Sequence, residues 1–132
     1  MAACGLNVSA DGAVSVGEIA QLGASWIRVV ATPEHDLTTY FTDLALAEVR
    51  VLLVLTRESG GDYAHYRDLY TPYIDAIQVG NEPDGEGESS WRMSQSEFVS
   101  LGRSVRAIWP GLPIVAGGLV SGQPSWLRGV DL

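Results

Sequence analysis

The sequence has no lysine, one cysteine (Cys4) and only two histidines, His35 and His65. A lone cysteine cannot close an internal disulfide, and no Cys/His group has zinc spacing. Without lysine or a phosphate-cradling glycine pattern, and with no Ser/His/Asp set in a nucleophile elbow, nucleotide and serine-hydrolase chemistry are poor readings. No apolar run approaches the roughly 20 residues that span a bilayer. The start, Met1-Ala2-Ala3-Cys4, has neither the basic residues nor the apolar stretch of a signal peptide. A soluble protein, or a soluble piece of one, is therefore expected, with its compartment left open. Positive charge is scarce, since eight arginines face 16 acidic residues for a net charge of −8. Such a surface repels phosphate backbones and anionic lipid, which argues against nucleic acid and membrane as partners. What is present is core material: 46% of the 132 residues are hydrophobic and 18% are charged, the balance of a single folded domain over residues 1–132.

That core material alternates. Short β-branched segments, Cys4 to Val8, Trp26 to Val30, Val49 to Thr56, Ala76 to Gly80 and Pro113 to Gly117, alternate with stretches of helical spacing. The pattern predicts βα repetition, with strands too rich in Val, Ile and Leu to face water and therefore parallel and buried. Ser15-Val16-Gly17-Glu18 and Ser94-Gln95-Ser96-Glu97 have capping-box form and start the first and fourth helices. Leu37, Tyr40, Phe41 and Leu44 form the stripe of a second helix following Asp36, and Tyr63, Tyr66 and Tyr70 that of a third. The fourth helix stops at Trp109-Pro110-Gly111, and a fifth is expected from Ser125 onward. Side-chain parity separates a mixed face (Trp26, Arg28, Val30; Gln78, Gly80, Glu82) from a largely apolar one (Ile27, Val29; Ile77, Val79, Asn81). A closed (β/α) barrel predicts that division, since helices pack outside its strands and polar groups gather inside near the C-terminal mouth. The expected fold is α/β, a TIM-barrel-like arc of about five parallel strands with four to five helices.

The segment richest in chemistry is Gln78-Val79-Gly80-Asn81-Glu82-Pro83, a buried strand that ends in an amide, a carboxylate and a proline. Parallel α/β folds place their active groups at strand C-termini. Proline restricts the residue before it, so Pro83 predicts an extended Glu82 with a fixed carboxylate. Glycoside hydrolysis requires a carboxylic acid to protonate the departing oxygen, and a neighbouring amide that binds a sugar hydroxyl assists it. Taken alone the tripeptide is an ordinary strand-to-loop turn, and its position ending the fourth strand of a βα series favours function.

Gly80-Asn81-Glu82-Pro83 resembles the fourth-strand motif of the clan A retaining glycoside hydrolases, the (β/α)-barrel family of cellulases, mannanases, xylanases and β-xylosidases. Trp26-Ile27-Arg28-Val29 is similar to the clan's second-strand segment, and Leu6-Asn7 and Pro113 to Gly118 look like its first and fifth. The resemblance implies that Glu82 is the general acid/base, that Asn81 contacts the sugar 2-hydroxyl, and that Arg28 hydrogen-bonds the nucleophile. In the clan that nucleophile is a glutamate ending the seventh strand, whereas five strands are readable here. The 132 residues by themselves are thus expected to be weak or inactive as a catalyst.

Other residues weigh less. Trp91 offers a flat face for a sugar ring, although loop aromatics more often pin a loop to the body. His35 follows the second strand and is a candidate for sugar hydroxyls, while His65 reads as a surface residue and Trp126 as packing. Arg28, without a nucleophile, would neutralise a buried carboxylate. Glu58, Asp84, Glu86 and Glu88 could approach the same mouth, but nothing in their spacing favours that over solvation. The run from Asp84 to Glu88 lacks the spacing of an EF-hand, so no metal or cofactor is expected. The expected partner is an oligo- or polysaccharide. The alternative function is a non-catalytic half-barrel that binds carbohydrate or protein, whose open edges predict self-association or a complementing chain. A third reading is an unrelated open α/β sheet with helices on both faces.

Overall fold

The computed structural model describes residues 4–85 and 91–119, together with Trp126 and Arg128. Five strands, β1 (Gly5–Val8), β2 (Trp26–Val30), β3 (Arg50–Leu55), β4 (Ala76–Val79) and β5 (Ile114–Ala116), alternate with helices α1 (Val16–Gln21), α2 (Thr38–Leu46), α3 (Tyr63–Tyr70) and α4 (Gln95–Ile108). A 3-10 turn, Arg57–Ser59, follows β3. Each strand lies inside the segment that hydrophobic patterning predicts. The fifth helix falls outside the described residues.

All four strand pairings are parallel and the order is β1-β2-β3-β4-β5. Register puts Asn7 opposite Arg28, Arg28 opposite Leu52 and Val54 opposite Gln78. A doubly wound sheet reverses its strand order at a switch point and sends helices to both faces. Here the order never reverses, and α1 touches α2, α2 touches α3 and α3 touches α4. The helices form one layer on one face, which sets aside the two-sided open sheet.

The core lies between that layer and the sheet. Ile27, Val29, Val51, Leu53, Leu55, Ile77 and Val79 meet Ile19, Phe41, Leu44, Tyr66, Tyr70, Phe98, Leu101 and Val105 from the helices. Fully burying one such side chain stabilises the fold by about 1.5–3 kcal/mol. The helix starts work as expected at Ser15 and Ser94, where each hydroxyl accepts from the backbone N–H three residues on and Glu18 or Glu97 reaches back. The start of α2 is different. Its N-cap position is Leu37, buried in the core, and Asp36 instead receives both the Thr38 N–H at 2.9 Å and the Thr38 hydroxyl at 2.6 Å. Asp62, absent from the sequence reading, caps α3 by accepting from the His65 N–H.

Candidate functional site

The face of the sheet away from the helices carries Asn7, Arg28 and Gln78 on three different strands. Their polar atoms meet. Arg28 donates from Nε to Gln78 Oε1 at 2.9 Å, from Nη1 to Asn7 Oδ1 at 3.3 Å and from Nη2 to Asn81 Oδ1 at 2.7 Å. Gln78 passes the chain on, donating from Nε2 to the Gly80 carbonyl at 2.7 Å. A guanidinium has only donors, so each amide must turn its oxygen toward it. Asn81 is thereby left with its NH₂ group to offer elsewhere.

Glu82 follows directly and is exposed. Partial burial draws the Arg28 guanidinium below its ordinary value, and the Glu82 carboxylate pulls it back up. The two charges therefore attract each other across the site. Among the described residues Arg28 hydrogen-bonds no carboxylate, and its described hydrogen bonds go to the amide oxygens of Gln78, Asn7 and Asn81.

The backbone here departs from the extended conformation expected before Pro83. Gly80 has φ +72° and Glu82 φ +47°, a left-handed value that costs a non-glycine residue about 1–2 kcal/mol. Three hydrogen bonds outweigh the preference imposed by proline. The Glu82 N–H donates to the Gly118 carbonyl at 3.1 Å, the Gly85 N–H closes a turn on the Glu82 carbonyl at 2.9 Å, and the Met93 N–H donates to the Pro83 carbonyl at 2.9 Å. Gly117 explains how β5 comes so close. A Cβ at that position would lie 2.4 Å from the Gly80 oxygen and 3.1 Å from the Asn81 nitrogen. Glycine there admits backbone rather than ligand.

Beside this cluster, at the C-terminal ends of β1, β2 and β3, lies a cavity of about 440 Å³. His35 and Trp91 both line it, with Glu34, Glu58, Thr32 and the apolar Val8 and Val30. The Thr32 hydroxyl oxygen is buried there without a hydrogen-bond partner. Glu58 is held at its backbone, where its N–H donates to the Thr56 hydroxyl at 3.1 Å. Tyr66 donates to the Ser59 carbonyl at 2.6 Å, and its phenol is pushed up to about 12, first by burial and then by Tyr70 and Glu34. It remains a neutral donor at any physiological pH.

The structure thus joins Arg28, Asn81 and Glu82 in one cluster and His35, Trp91 and Glu58 around one cavity. Neither Asn81 nor Glu82 lines that cavity. Asp84 is half-buried in the turn after Glu82, whereas Glu86 and Glu88 lie outside the described residues. His65 is exposed, and Trp126 packs edge-on against Phe98 with ring centroids 5.5 Å apart. Among the described residues no group of three His, Cys, Asp or Glu side chains could hold a metal ion, and no helix is long and apolar enough to cross a membrane. Sequence reasoning passed over Gln78 and Thr32 as functional residues. Parity was the available signal for Gln78, a polar side chain on the face that also carries Arg28. Comparison with protein-family models, curated proteins and solved structures finds no match for this chain.

Proposed function

We propose that this chain carries the acid/base part of a retaining O-glycoside hydrolase, with its five strands an arc of a clan A (β/α) barrel. One observation carries the reading. Arg28 grips Asn81 at 2.7 Å at the C-terminal end of β4, and Glu82 is the next residue, within the electrostatic reach of the same guanidinium. In this role Glu82 protonates the leaving oxygen and later removes a proton from the water that opens the glycosyl-enzyme. Asn81, its oxygen committed to Arg28, presents its NH₂ to the sugar hydroxyl beside the cleaved bond. Arg28 supplies one positive charge beside the two carboxylates that retention brings about 5–5.5 Å apart. The second carboxylate would come from a strand beyond the five described here.

Two further features support the reading. Val54 is 0% and Gln78 7% exposed, although both lie on the face without helices. Burial there is what the concave side of a curled sheet provides. The cavity lined by His35 and Trp91 has a suitable position and size for a sugar ring of an oligo- or polysaccharide. On this reading the outer edges of β1 and β5 are closed by further strands or by another chain.

The test is hydrolysis by the whole gene product and its Glu82→Gln variant. The variant should cleave glycosides with poor leaving groups about 10²–10⁴-fold more slowly, and activated aryl glycosides far less so. Equal, small losses on both substrates would overturn the assignment. A non-catalytic carbohydrate- or protein-binding half-barrel is the second reading, favoured by the fact that Arg28 spends its described hydrogen bonds on amides rather than on a nucleophile. It predicts glycan or protein binding by the native protein with no cleavage at all.

A further inference from the structure

We propose that Gln78 is the positioning residue of this site: it sets the Arg28 guanidinium and the strand-end peptide against each other, so that Asn81 and Glu82 are presented in one geometry. Its catalytic consequence rests on the hydrolase reading above, whereas its geometric content does not.

A glutamine in the middle of a five-stranded parallel sheet is unusual, since such strands are apolar and a buried amide costs free energy unless its groups are bonded. At Gln78, 7% exposed, both ends of the amide are bonded. Oε1 accepts from Arg28 Nε at 2.9 Å, and Nε2 donates to the Gly80 carbonyl at 2.7 Å. The amide is planar and its oxygen and nitrogen point in different directions, so satisfying both fixes its rotation.

The two partners are the two supports of the site. Bonding at Nε fixes the plane of the guanidinium, which sends Nη2 to Asn81 and Nη1 to Asn7. Bonding at the Gly80 carbonyl holds the peptide at which the chain leaves the sheet with φ +72°, two residues before Glu82. Gly117 packs against that same carbonyl. Packing alone would be served by methionine, which has a similar length. What methionine cannot do is tie Arg28 to Gly80.

The experiment is proton exchange at Arg28 Nε, followed by NMR in the chain as it stands. In the native protein this N–H should exchange slowly. Gln78→Met should speed its exchange by about 10- to 100-fold, the factor a charge-assisted hydrogen bond supplies, and should shift the side-chain amide resonances of Asn81. Gln78→Glu keeps an acceptor for Nε and should keep the slow exchange. Ile77→Val trims the opposite, helix-covered face; it should lower the unfolding midpoint and leave Arg28 exchange unchanged, which separates positioning from general loosening. Native Nε–H exchange as fast as that of a free arginine would overturn the proposal, as would equal rates in native and Gln78→Met protein. If the methionine variant does not fold, the native measurement decides: a protected Arg28 Nε–H supports the bridge, and exchange as fast as that of a free arginine overturns it. Failure to find glycosidase activity would remove the hydrolase reading and leave these outcomes intact. Conversely, a negative exchange result would leave the assignment of Glu82 standing.

Discussion

The two faces of this sheet are built from the same strands, and one is uniformly apolar while the other mixes apolar side chains such as Val54 with a polar network. Toward the helices stand Ile27, Val29, Val51, Leu53, Ile77 and Val79, all at most 1% exposed and held by area alone. Away from them stand Asn7, Arg28 and Gln78, held by directed hydrogen bonds of 2.7–3.3 Å that run on to Asn81 and Gly80. The first face tolerates exchange among hydrophobes of similar volume, because dispersion and burial have no direction. The second tolerates less, because a missing donor leaves the buried Gln78 oxygen unpaired. A site needs fixed directions, so it belongs on the second face and its stability must come from the first.

Substitutions can break that comparison, and the largest effect should be on chemistry with none on the fold. Glu82 is exposed, so Glu82→Gln should lower turnover of glycosides with poor leaving groups by the orders of magnitude given above while the unfolding free energy in urea stays within about 0.5 kcal/mol of native. Next comes the helix side. Phe41 is fully buried and meets Tyr70 edge-on at 5.0 Å, so Phe41→Ala should cost about 3–5 kcal/mol in urea unfolding. On the opposite face, Arg28→Leu should cost about 1–3 kcal/mol, the price of leaving amide oxygens unpaired.

Gly117→Ala tests the joint between β4 and β5. Its methyl would meet the Gly80 carbonyl, a backbone atom that cannot swing aside, and the strain should cost about 1–3 kcal/mol. Because it displaces the Gly80–Asn81 peptide, it should also shift the Asn81 amide resonances, which Phe41→Ala should not.

The smallest effects lie at the helix starts. Ser94→Ala should cost about 1 kcal/mol by removing the acceptor for the Glu97 N–H. Glu97 sits below the ordinary carboxylate range, chiefly through its bond from the Ser94 backbone and then through Arg57. A carboxyl depressed in the folded state stabilises above its unfolded pKa, and that contribution disappears as pH falls through its folded pKa. Native protein should therefore lose more stability between neutral pH and pH 3 than Glu97→Gln, measured by urea midpoints across that range.

Legibility followed the range of the interactions. Strand β2 occupies the segment read from Trp26 to Val30, because alternation and β-branching are local properties. The starts of α1 and α4 were equally visible, since a capping box is complete within four residues. The start of α2 was legible as the segment after Asp36 but its cap was not, because Leu37 enters the core and its N–H goes to the Tyr70 hydroxyl 33 positions away. Glu82 was expected to be extended on the strength of Pro83, a neighbour in sequence. Its conformation is set instead by three hydrogen bonds, one of which reaches Gly118, a neighbour only in space.

The candidate site divides along the same line. Asn81 and Glu82 could be found from their place at the end of a strand, and Arg28 from its parity. That Arg28 binds three amides through Gln78, Asn7 and Asn81 required β1, β2 and β4 to lie in register, which no single segment encodes.

By itself, then, the sequence determined which segments become strands and helices, which face of each is apolar, and where a carboxylate would stand at a strand end. Hydrophobic period and capping act within a few residues, so one segment suffices to specify them. Only the tertiary structure decided the sequential strand order, the single helical layer, the left-handed turn at Glu82 and the bridge from Arg28 through Gln78 to Gly80. Each of these depends on groups tens of residues apart, whose hydrogen bonds and close contacts exist only once the sheet has formed.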